Sequence, residues 1–290
     1  MRRLVARLAA VVGQQNAFEE LRWMRQHLQR VSSDRCSSVT FPVLDSIPHF
    51  RNSDVLLGQM IQRRLRGEPL QYILGSQPFG SLELVVRPPT LVPRPETEFW
   101  ALELSNVVKN WTSRPRVGGS DGSIHILDIC SGTGCIPLLL MSELSSRIAS
   151  ATALRECHEL LVNTSARHTS FAPFTIITCN PPYIPRHEYE TIDASVREFE
   201  DPTALLGNDP RSKTDDPEGL AFYRRISELL TPSCNAPLLQ DSGGILALEV
   251  GQGQAKMVRS ILQETCIGTF RSFEIWEDQW NVERVVVGYT

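Results

Sequence analysis

The chain has 290 residues, of which 41% are hydrophobic and 21% are charged, and its formal net charge is −4. That length supports one large domain or two modest domains with real cores, and the ordinary composition excludes a fibrous or disordered chain. No apolar run approaches the length needed to span a bilayer, so we expect no contact with a membrane.

The cysteine and histidine patterns give no sign of a disulfide framework or a metal site. There are seven cysteines, an odd number, and no C-x-x-C pair occurs among them. The six histidines show no H-E-x-x-H spacing. These patterns indicate a reducing compartment, and we predict that the protein binds no metal.

The N-terminal segment has the features of a targeting helix. Residues 1–18 contain Arg2, Arg3 and Arg7 and no acid. Its apolar residues that share one helical face are Leu4, Val5, Leu8 and Val12. This pattern is typical of a mitochondrial targeting helix, and it fits the first helix of an N-terminal domain equally well. The expected location is mitochondrial, and otherwise cytoplasmic.

Two further amphipathic helices are predicted in the N-terminal part. Apolar residues recur at spacings of three and four over residues 18–31, which indicates a helix. A second helix begins near Ser53 or Asp54, either of which can cap it, and ends at Gly67. We therefore expect residues 1–67 to form a small helical bundle. Because it carries no catalytic constellation of its own, substrate recognition is the natural hypothesis for it.

A linker and the start of the catalytic part follow. Residues 68–90 are predicted to be a linker that carries a β-hairpin, since Leu82–Val86 alternates between polar and apolar residues at its start. The predicted catalytic domain, residues 91–290, opens with the run Leu91–Glu98 (L-V-P-R-P-E-T-E). Its prolines and acids suit the start of a helix, which we expect to continue through Trp111.

Residues 124–141 predict a strand, a glycine turn and a helix, the first βα turn of a doubly wound sheet. Such a turn brings backbone N–H groups and a helix N-terminus to a ligand. The pattern is not G-x-G-x-x-G. It places an acid, Asp128, at the end of the strand and G-x-G after it, as in S-adenosylmethionine sites, where Asp128 can help to orient the cationic end of the ligand through its ammonium group. A generic nucleotide-binding loop is the alternative.

The run Asn180-Pro181-Pro182-Tyr183 follows a short buried strand that is predicted over Phe174–Thr178. The two prolines stop the strand and fix the backbone. The Asn180 carbonyl oxygen can accept one N–H of a planar NH2 group, and a backbone carbonyl of the proline turn can accept the other. The Tyr183 ring can lie against the flat face of that group. This favours recognition of an amide or amine, and a proline-rich loop after a core strand is the alternative.

Several runs of the chain resemble the HemK/PrmC family of protein N5-glutamine methyltransferases, which act on peptide chain release factors. They occur in the family's order, and they are Gly67–Gly75, Leu91–Glu98, Ile126–Ile136, Cys179–Pro185, Val196–Leu205 and Gly243–Gln252. Cys130 stands where bacterial members usually have glycine. That residue, together with Trp276 and Trp280, is similar to fungal mitochondrial members of the family.

The resemblance implies S-adenosyl-L-methionine as methyl donor and the glutamine of a Gly-Gly-Gln motif in a release factor as acceptor. By position, the implied cofactor-binding residues are Asp128, Cys130, Ser131, Gly132, Thr133, Gly134 and Asn180. The implied catalytic and substrate-binding residues are Asn180, Pro181, Pro182 and Tyr183. The expected fold is α/β, a Rossmann-like S-adenosylmethionine-dependent methyltransferase sheet with an N-terminal helical bundle and a hairpin linker. We expect a monomer that makes no direct contact with DNA.

The segment between the two site motifs is short for this fold. Only 45 residues, 135–179, separate them, and a doubly wound sheet needs two strands and two helices there. Ser142–Ala149 is predicted to continue the first helix and Thr152–Ser165 to form the next, with Arg147-Ile-Ala-Ser a poor candidate for a strand. The second strand normally ends in an acid that binds the ribose, and the acids available, Glu143, Glu156 and Glu159, all lie in helical patterns. No segment has the pattern of a good second strand, and we expect the third strand to be absent as well. The sequence therefore predicts a shortened sheet.

The short segment has three explanations: a coding sequence that has lost an exon or is mis-spliced, a degraded non-catalytic member, and a remodelled sheet that is weakly active. Three functional hypotheses remain, and the short segment supports the third of them. The first is a methyltransferase acting on a release factor glutamine. The second is a nucleic-acid adenine N6-methyltransferase that uses the same N-P-P-Y chemistry, which the acidic catalytic part disfavours. The third is a pseudoenzyme that binds a release factor without methyl transfer.

Overall fold

The computed structural model describes seven stretches of the chain: residues 1–33, 53–112, 123–145, 148–154, 173–208, 216–231 and 237–290. They divide into two compact units. The first unit comprises Met1–Gln77, Val85–Pro89 and Asp193–Glu200, and the second comprises Pro78–Leu84, Thr90–Ile192 and Asp201–Thr290. Within these stretches, no helix has both the length and the apolar character required to cross a bilayer.

The first unit is built on a helical bundle. Its main helices are α1 (Arg2–Val12), α2 (Gln14–Ser33), α3 (Ser53–Leu65) and α4 (Leu70–Leu74). Leu8 of α1, Met24 of α2 and Ile61 of α3 are fully buried in one shared core. Arg64 donates to the carboxylate of Glu20 at 3.0 Å and so links α3 to α2. The N-terminal segment therefore packs as the first helix of this bundle.

A two-stranded sheet of β1 (Ser76–Phe79) and β2 (Leu82–Val85) lies where the sequence predicted a hairpin. The helix predicted to follow the Leu91–Glu98 run is α5 (Pro95–Thr112), with Glu96 and Glu98 in its first turn. Negatively charged side chains at the N-terminus of a helix interact favourably with the positive end of the helix dipole.

The second unit is built on a mixed sheet whose described strands follow the order β4-β3-β5-β6-β8-β7. The strands are β3 (Ile124–Ile129), β4 (Ile148–Leu154), β5 (Ile176–Cys179), β6 (Ile245–Glu249), β7 (Ser272–Glu277) and β8 (Glu283–Tyr289). The first four pair in parallel, and β8 runs antiparallel between β6 and β7. This is the Rossmann-like α/β fold that the sequence predicted.

Helices cover both faces of this sheet. Successive residues of β3 point to opposite faces, so that Ile124 and Ile126 join one core while Leu127 and Ile129 join the other. The first core includes α5 and α6 (Cys135–Leu144), and the second includes α9 (Ala221–Leu230) and α10 (Ala255–Thr265). Two short helices, α7 (Arg186–Tyr189) and α8 (Ala194–Phe199), lie between β5 and α9 in the chain.

The prediction that the chain lacks a good second strand is wrong. Ile148–Leu154 forms β4, which pairs in parallel with the whole length of β3. The helix predicted to continue over Ser142–Ala149 ends at Leu144, and residues 152–154 of the helix predicted over Thr152–Ser165 are strand. The alanines of β4 favour a helix, but helix propensity is a small energy per residue, and pairing with the N–H and C=O groups of β3 overrides that local preference.

The strand predicted before the N-P-P-Y run is present with a later start, and the prediction about the third strand lies outside the described residues. The strand predicted over Phe174–Thr178 begins later, at Ile176, while Phe174 makes an isolated bridge to Leu239. The remainder of the predicted second helix and the predicted absence of a third strand fall on residues 155–172, outside the described residues. Among the described strands, β4 forms this edge of the sheet.

Candidate active site

The glycine turn and the N-P-P-Y run leave the sheet side by side. They follow β3 and β5, which are parallel neighbours in which Ile129 pairs with Cys179. Cys130 and Asn180 are the next residues along each strand. In a parallel sheet, ligands bind at this carboxyl edge, so the strand order brings the starts of both predicted loops into one site.

The glycine turn is an irregular loop with open space beside it. Gly132 and Gly134 have φ angles of 53° and 76°, and Cys130 has a φ of 61°, which is uncommon for a residue with a side chain. The Ser131 N–H donates to the Leu154 carbonyl at 3.0 Å and so ties the turn to the end of β4. A Cβ at Gly132 would meet no atom within 4 Å. Half-buried residues of the turn are Cys130, Ser131, Thr133 and Gly134.

Asp128 is fully buried near the end of β3, and its two carboxylate oxygens differ in their surroundings. Its Oδ1 accepts the Thr178 hydroxyl at 2.6 Å, whereas its buried Oδ2 has no hydrogen-bond partner within the described stretches. Burial raises the pKa of this carboxyl from 3.8 to about 7, an effect that the Thr178 hydrogen bond only partly offsets. A buried carboxylate oxygen is costly unless a hydrogen-bond donor pairs with it. The ammonium group of a ligand is one donor that would satisfy this oxygen.

Packed neighbours hold the N-P-P-Y backbone in place. Pro181 and Pro182 are buried, and Tyr183 is half-buried. The backbone carbonyl of Tyr183 accepts a hydrogen bond from the Gln254 side-chain amide at 2.9 Å. The side-chain oxygen of Gln254, Oε1, accepts a hydrogen bond from the Gly251 backbone N–H at 2.8 Å. Burial raises the pKa of the Tyr183 hydroxyl above its ordinary value, so this phenol stays neutral.

Asn180 contacts a buried polar chain that the sequence did not reveal. Its Nδ2 donates to Thr97 Oγ1 at 3.4 Å, and the Thr97 hydroxyl donates to Glu249 Oε2 at 2.6 Å. The Trp100 indole N–H donates to the same oxygen at 2.8 Å. Glu249 is fully buried, and that burial raises its pKa. Thr97 and Glu249 lie in two of the runs that carry the family resemblance, but the sequence does not predict their contact with each other or with Asn180.

One of the three acids between the two site motifs, Glu143, has a structural partner instead of a free carboxylate for a ribose. Glu143 lies in α6, and its carboxylate accepts a hydrogen bond from the Lys109 ammonium group at 2.6 Å. It therefore forms an ion pair that links α6 to α5. Glu156 follows the end of β4 by two residues in the sequence, and it lies with Glu159 outside the described residues.

The strand order, the acid and glycine turn after β3, and the N-P-P-Y run after β5 define a Rossmann-like methyltransferase. No model of a known protein family matches the chain. It is 34% identical over 256 residues to the release factor glutamine methyltransferase of Pasteurella multocida, a match that covers 80% of this chain and 79% of that protein. The corresponding enzyme of Thermodesulfovibrio yellowstonii is 31% identical over 244 residues, covering 79% and 78%. The chain belongs to the family of release factor glutamine methyltransferases.

Similarity extends to a human protein and a solved structure. The human protein named MTRF1L release factor glutamine methyltransferase is 33% identical over 231 residues, which cover 71% of this chain and 62% of that protein. The crystal structure of a release factor-specific protein-(glutamine-N5) methyltransferase from Alicyclobacillus acidocaldarius is 23% identical, with a TM-score of 0.43 and coverage of 68% of this chain and 93% of that chain. The family resemblance drawn from the motifs is thus confirmed by the relatives.

Proposed function

We propose that this protein transfers a methyl group from S-adenosyl-L-methionine to the side-chain amide nitrogen, N5, of the glutamine in the Gly-Gly-Gln motif of a peptide chain release factor. The observation that carries the proposal is the position of Asn180 at the carboxyl end of β5, beside the glycine turn that follows β3. Family membership supports the same acceptor.

The N-P-P-Y residues are suited to hold a primary amide. The Asn180 carbonyl oxygen and a carbonyl of the proline turn would each accept one N–H of the glutamine NH2 group. An amide nitrogen is a poor nucleophile because its lone pair is delocalised. Two acceptors favour the pyramidal form in which the lone pair is available, and that form arises only near the transition state, where binding energy accelerates a reaction.

The cofactor would lie against the glycine turn. Asp128 Oδ2 would accept its ammonium group, and the open space beside Gly132 would admit the ligand close to the backbone. When bound, S-adenosylmethionine supplies a methyl group on a positively charged sulfur, which becomes a neutral thioether when the group leaves. The remaining proposed cofactor contacts are Cys130, Ser131, Thr133, Gly134 and Asn180.

The proton balance needs no dedicated base. The glutamine nitrogen forms its bond to the methyl carbon as the bond from that carbon to sulfur breaks, and one N–H proton then leaves to solvent. Tyr183, which burial keeps neutral, would contact the amide face through its ring and would not act as a base.

The two alternatives are weaker. A pseudoenzyme was suggested by the missing second strand, and β4 occupies that position. An adenine N6-methyltransferase would share the N-P-P-Y chemistry, but the bacterial relatives described above are named release factor glutamine methyltransferases. We further propose that the N-terminal bundle recognises the release factor, that the protein acts as a monomer, and that it works in mitochondria.

Mass spectrometry of a release factor tests the proposed function. The purified protein would be incubated with S-adenosylmethionine and a release factor, and the peptide containing Gly-Gly-Gln analysed for one added methyl group on the glutamine. A release factor with that glutamine replaced by glutamate is the matched acceptor control. We expect Asn180→Ala to abolish transfer while calorimetry shows most cofactor binding retained. Methylation of DNA or RNA adenine in place of the glutamine would overturn the proposal.

A further inference from the structure

The amide of Asn180 has two possible orientations, and only one of them suits the proposed reaction. With its oxygen toward the acceptor, Asn180 accepts an N–H of the glutamine; with its NH2 group toward the acceptor, it presents donors to donors. The network behind Asn180 therefore matters, because it decides which end of the amide faces the pocket.

The hydrogen bonds in this network begin from a group that can only donate. The Trp100 indole N–H has no acceptor function, so Glu249 Oε2, 2.8 Å away, must accept from it. The same oxygen also accepts the Thr97 hydroxyl in the structure, which requires that Oε2 carries no proton of its own. Burial raises the pKa of Glu249, so the network corresponds to a Glu249 that is ionised or is protonated on Oε1.

The same oxygen fixes the Thr97 hydroxyl. Thr97 Oγ1 lies 2.6 Å from Glu249 Oε2, and since an Oε2 without a proton can only accept, the Thr97 proton points to it. Only lone pairs of Thr97 Oγ1 remain for Asn180, which must then turn its NH2 group toward Thr97, at 3.4 Å. This distance is long for a hydrogen bond, and such contacts at active sites commonly shorten when the reactants bind.

We propose that Thr97 and Glu249 are positioning residues, which hold Asn180 with its carbonyl oxygen toward the glutamine amide. Thr97 and Glu249 do not touch the acceptor in this proposal; they act through Asn180. The Asn180 oxygen makes no hydrogen bond within the part of the chain that the structure describes, as expected for a group kept available to a substrate. The inference rests on the proposed function, since it assigns a reason to one amide orientation.

Kinetics of matched variants test the proposal. Thr97→Val removes the hydroxyl at nearly constant volume. We expect kcat to fall about ten- to a hundredfold, with the acceptor KM and the cofactor Kd each within about threefold of wild type, because the lost interaction belongs to the transition state. Thr97→Ser restores the hydroxyl and should return kcat to within about threefold. Glu249→Gln can still present an oxygen to Trp100 and Thr97, so it should retain kcat to within about fivefold.

The control is a buried hydroxyl on the same helix. Ser105 of α5 is buried and donates to the Leu102 carbonyl at 2.7 Å, away from this network. Ser105→Ala should lower the melting temperature and leave kcat unchanged. If Thr97→Val melts below the assay temperature, Thr97→Ala, which also removes the hydroxyl, decides in its place. The proposal is overturned if the deciding Thr97 variant keeps kcat within threefold, or if Glu249→Gln loses as much activity as that variant.

A spectroscopic measurement separates this inference from the proposed function. In protein labelled with 15N-asparagine, the Asn180 side-chain N–H signals report the hydrogen bond to Thr97 without any acceptor present. We expect Thr97→Val to shift these signals and Ser105→Ala to leave them in place. A wild-type protein that methylates no release factor but shows this pattern would refute the function and retain the positioning role. Unchanged Asn180 signals in Thr97→Val would refute the positioning role by itself.

Discussion

Replacing Asp128 with asparagine should relieve a pH-dependent cost in the free protein. Burial raises the Asp128 pKa from 3.8 to about 7, so the folded protein holds this proton more tightly than the unfolded chain does. Between these two values the folded state carries more protons, and the free energy of unfolding therefore falls as pH rises. The loss is absent below the unfolded pKa and complete above the folded one. Each pKa unit is worth about 1.4 kcal/mol, so the loss between about pH 5 and pH 8 is about 3 kcal/mol.

Urea unfolding of wild type and Asp128→Asn at both pH values measures this cost. The asparagine oxygen can still accept the Thr178 hydroxyl, but the side chain no longer titrates. We expect the variant to gain about 3 kcal/mol relative to wild type between about pH 5 and pH 8. Comparing the two proteins at each pH cancels the titration of every other group. A difference that stays constant within about 0.5 kcal/mol would refute the argument.

The same substitution should separate stability from ligand binding. An amide cannot form the charge-assisted pair with an ammonium group that a carboxylate forms, so Asp128→Asn should weaken S-adenosylmethionine binding by at least about tenfold in calorimetry. A variant that is more stable at about pH 8 and still binds the cofactor as tightly as wild type would show that Asp128 does not contact the ligand.

Three further outcomes are expected. Tyr183→Ala should mainly raise the acceptor KM, because the ring would contact the bound amide, and an unchanged KM in steady-state assays would contradict that role. Cys130→Gly should raise the melting temperature by a few degrees and Cys130→Val should lower it, because a φ of 61° strains any side chain, a β-branched one most; thermal unfolding showing the reverse order would contradict this. Gly219→Ala would place a Cβ against the Tyr183 carbonyl oxygen, so we expect its kcat to fall. Gly268→Ala is the control, because Gly268 has a similar positive φ (78°, against 69° at Gly219) but open space around it. Equal kcat values for the two variants would show that the N-P-P-Y turn tolerates displacement.

Local patterns were enough to predict the two loops of the candidate active site. The acid and glycine turn at Asp128–Gly134 and the proline run at Asn180–Tyr183 each combine residue types that suit few other backbone conformations. Both follow buried strands, and parallel strands bring their carboxyl ends to one edge, so their proximity could be predicted without a structure. The structure bears this out in the pairing of Ile129 with Cys179.

The second strand could not be predicted in the same way. Ile148–Leu154 is rich in alanine and half exposed, so it lacks the apolar alternation by which a strand is recognised. What makes it a strand is the unpaired edge of β3, which lies far outside the local window. The prediction of a missing second strand was wrong because the local pattern does not reveal β4.

The sequence by itself determined the family, the sheet that carries the site and the residues at its two loops, because these depend on short runs with few alternative conformations. The tertiary structure decided how Asn180 is oriented. Thr97 and Glu249 lie 152 positions apart in the chain and share a hydrogen bond of 2.6 Å. Only the packing of α5 against the end of β6 brings them together. The hydrogen bonds from Trp100 and Thr97 to Glu249, and from Asn180 to Thr97, then set the orientation of the Asn180 amide. Because these residues are far apart in the chain, a local sequence pattern cannot predict that orientation.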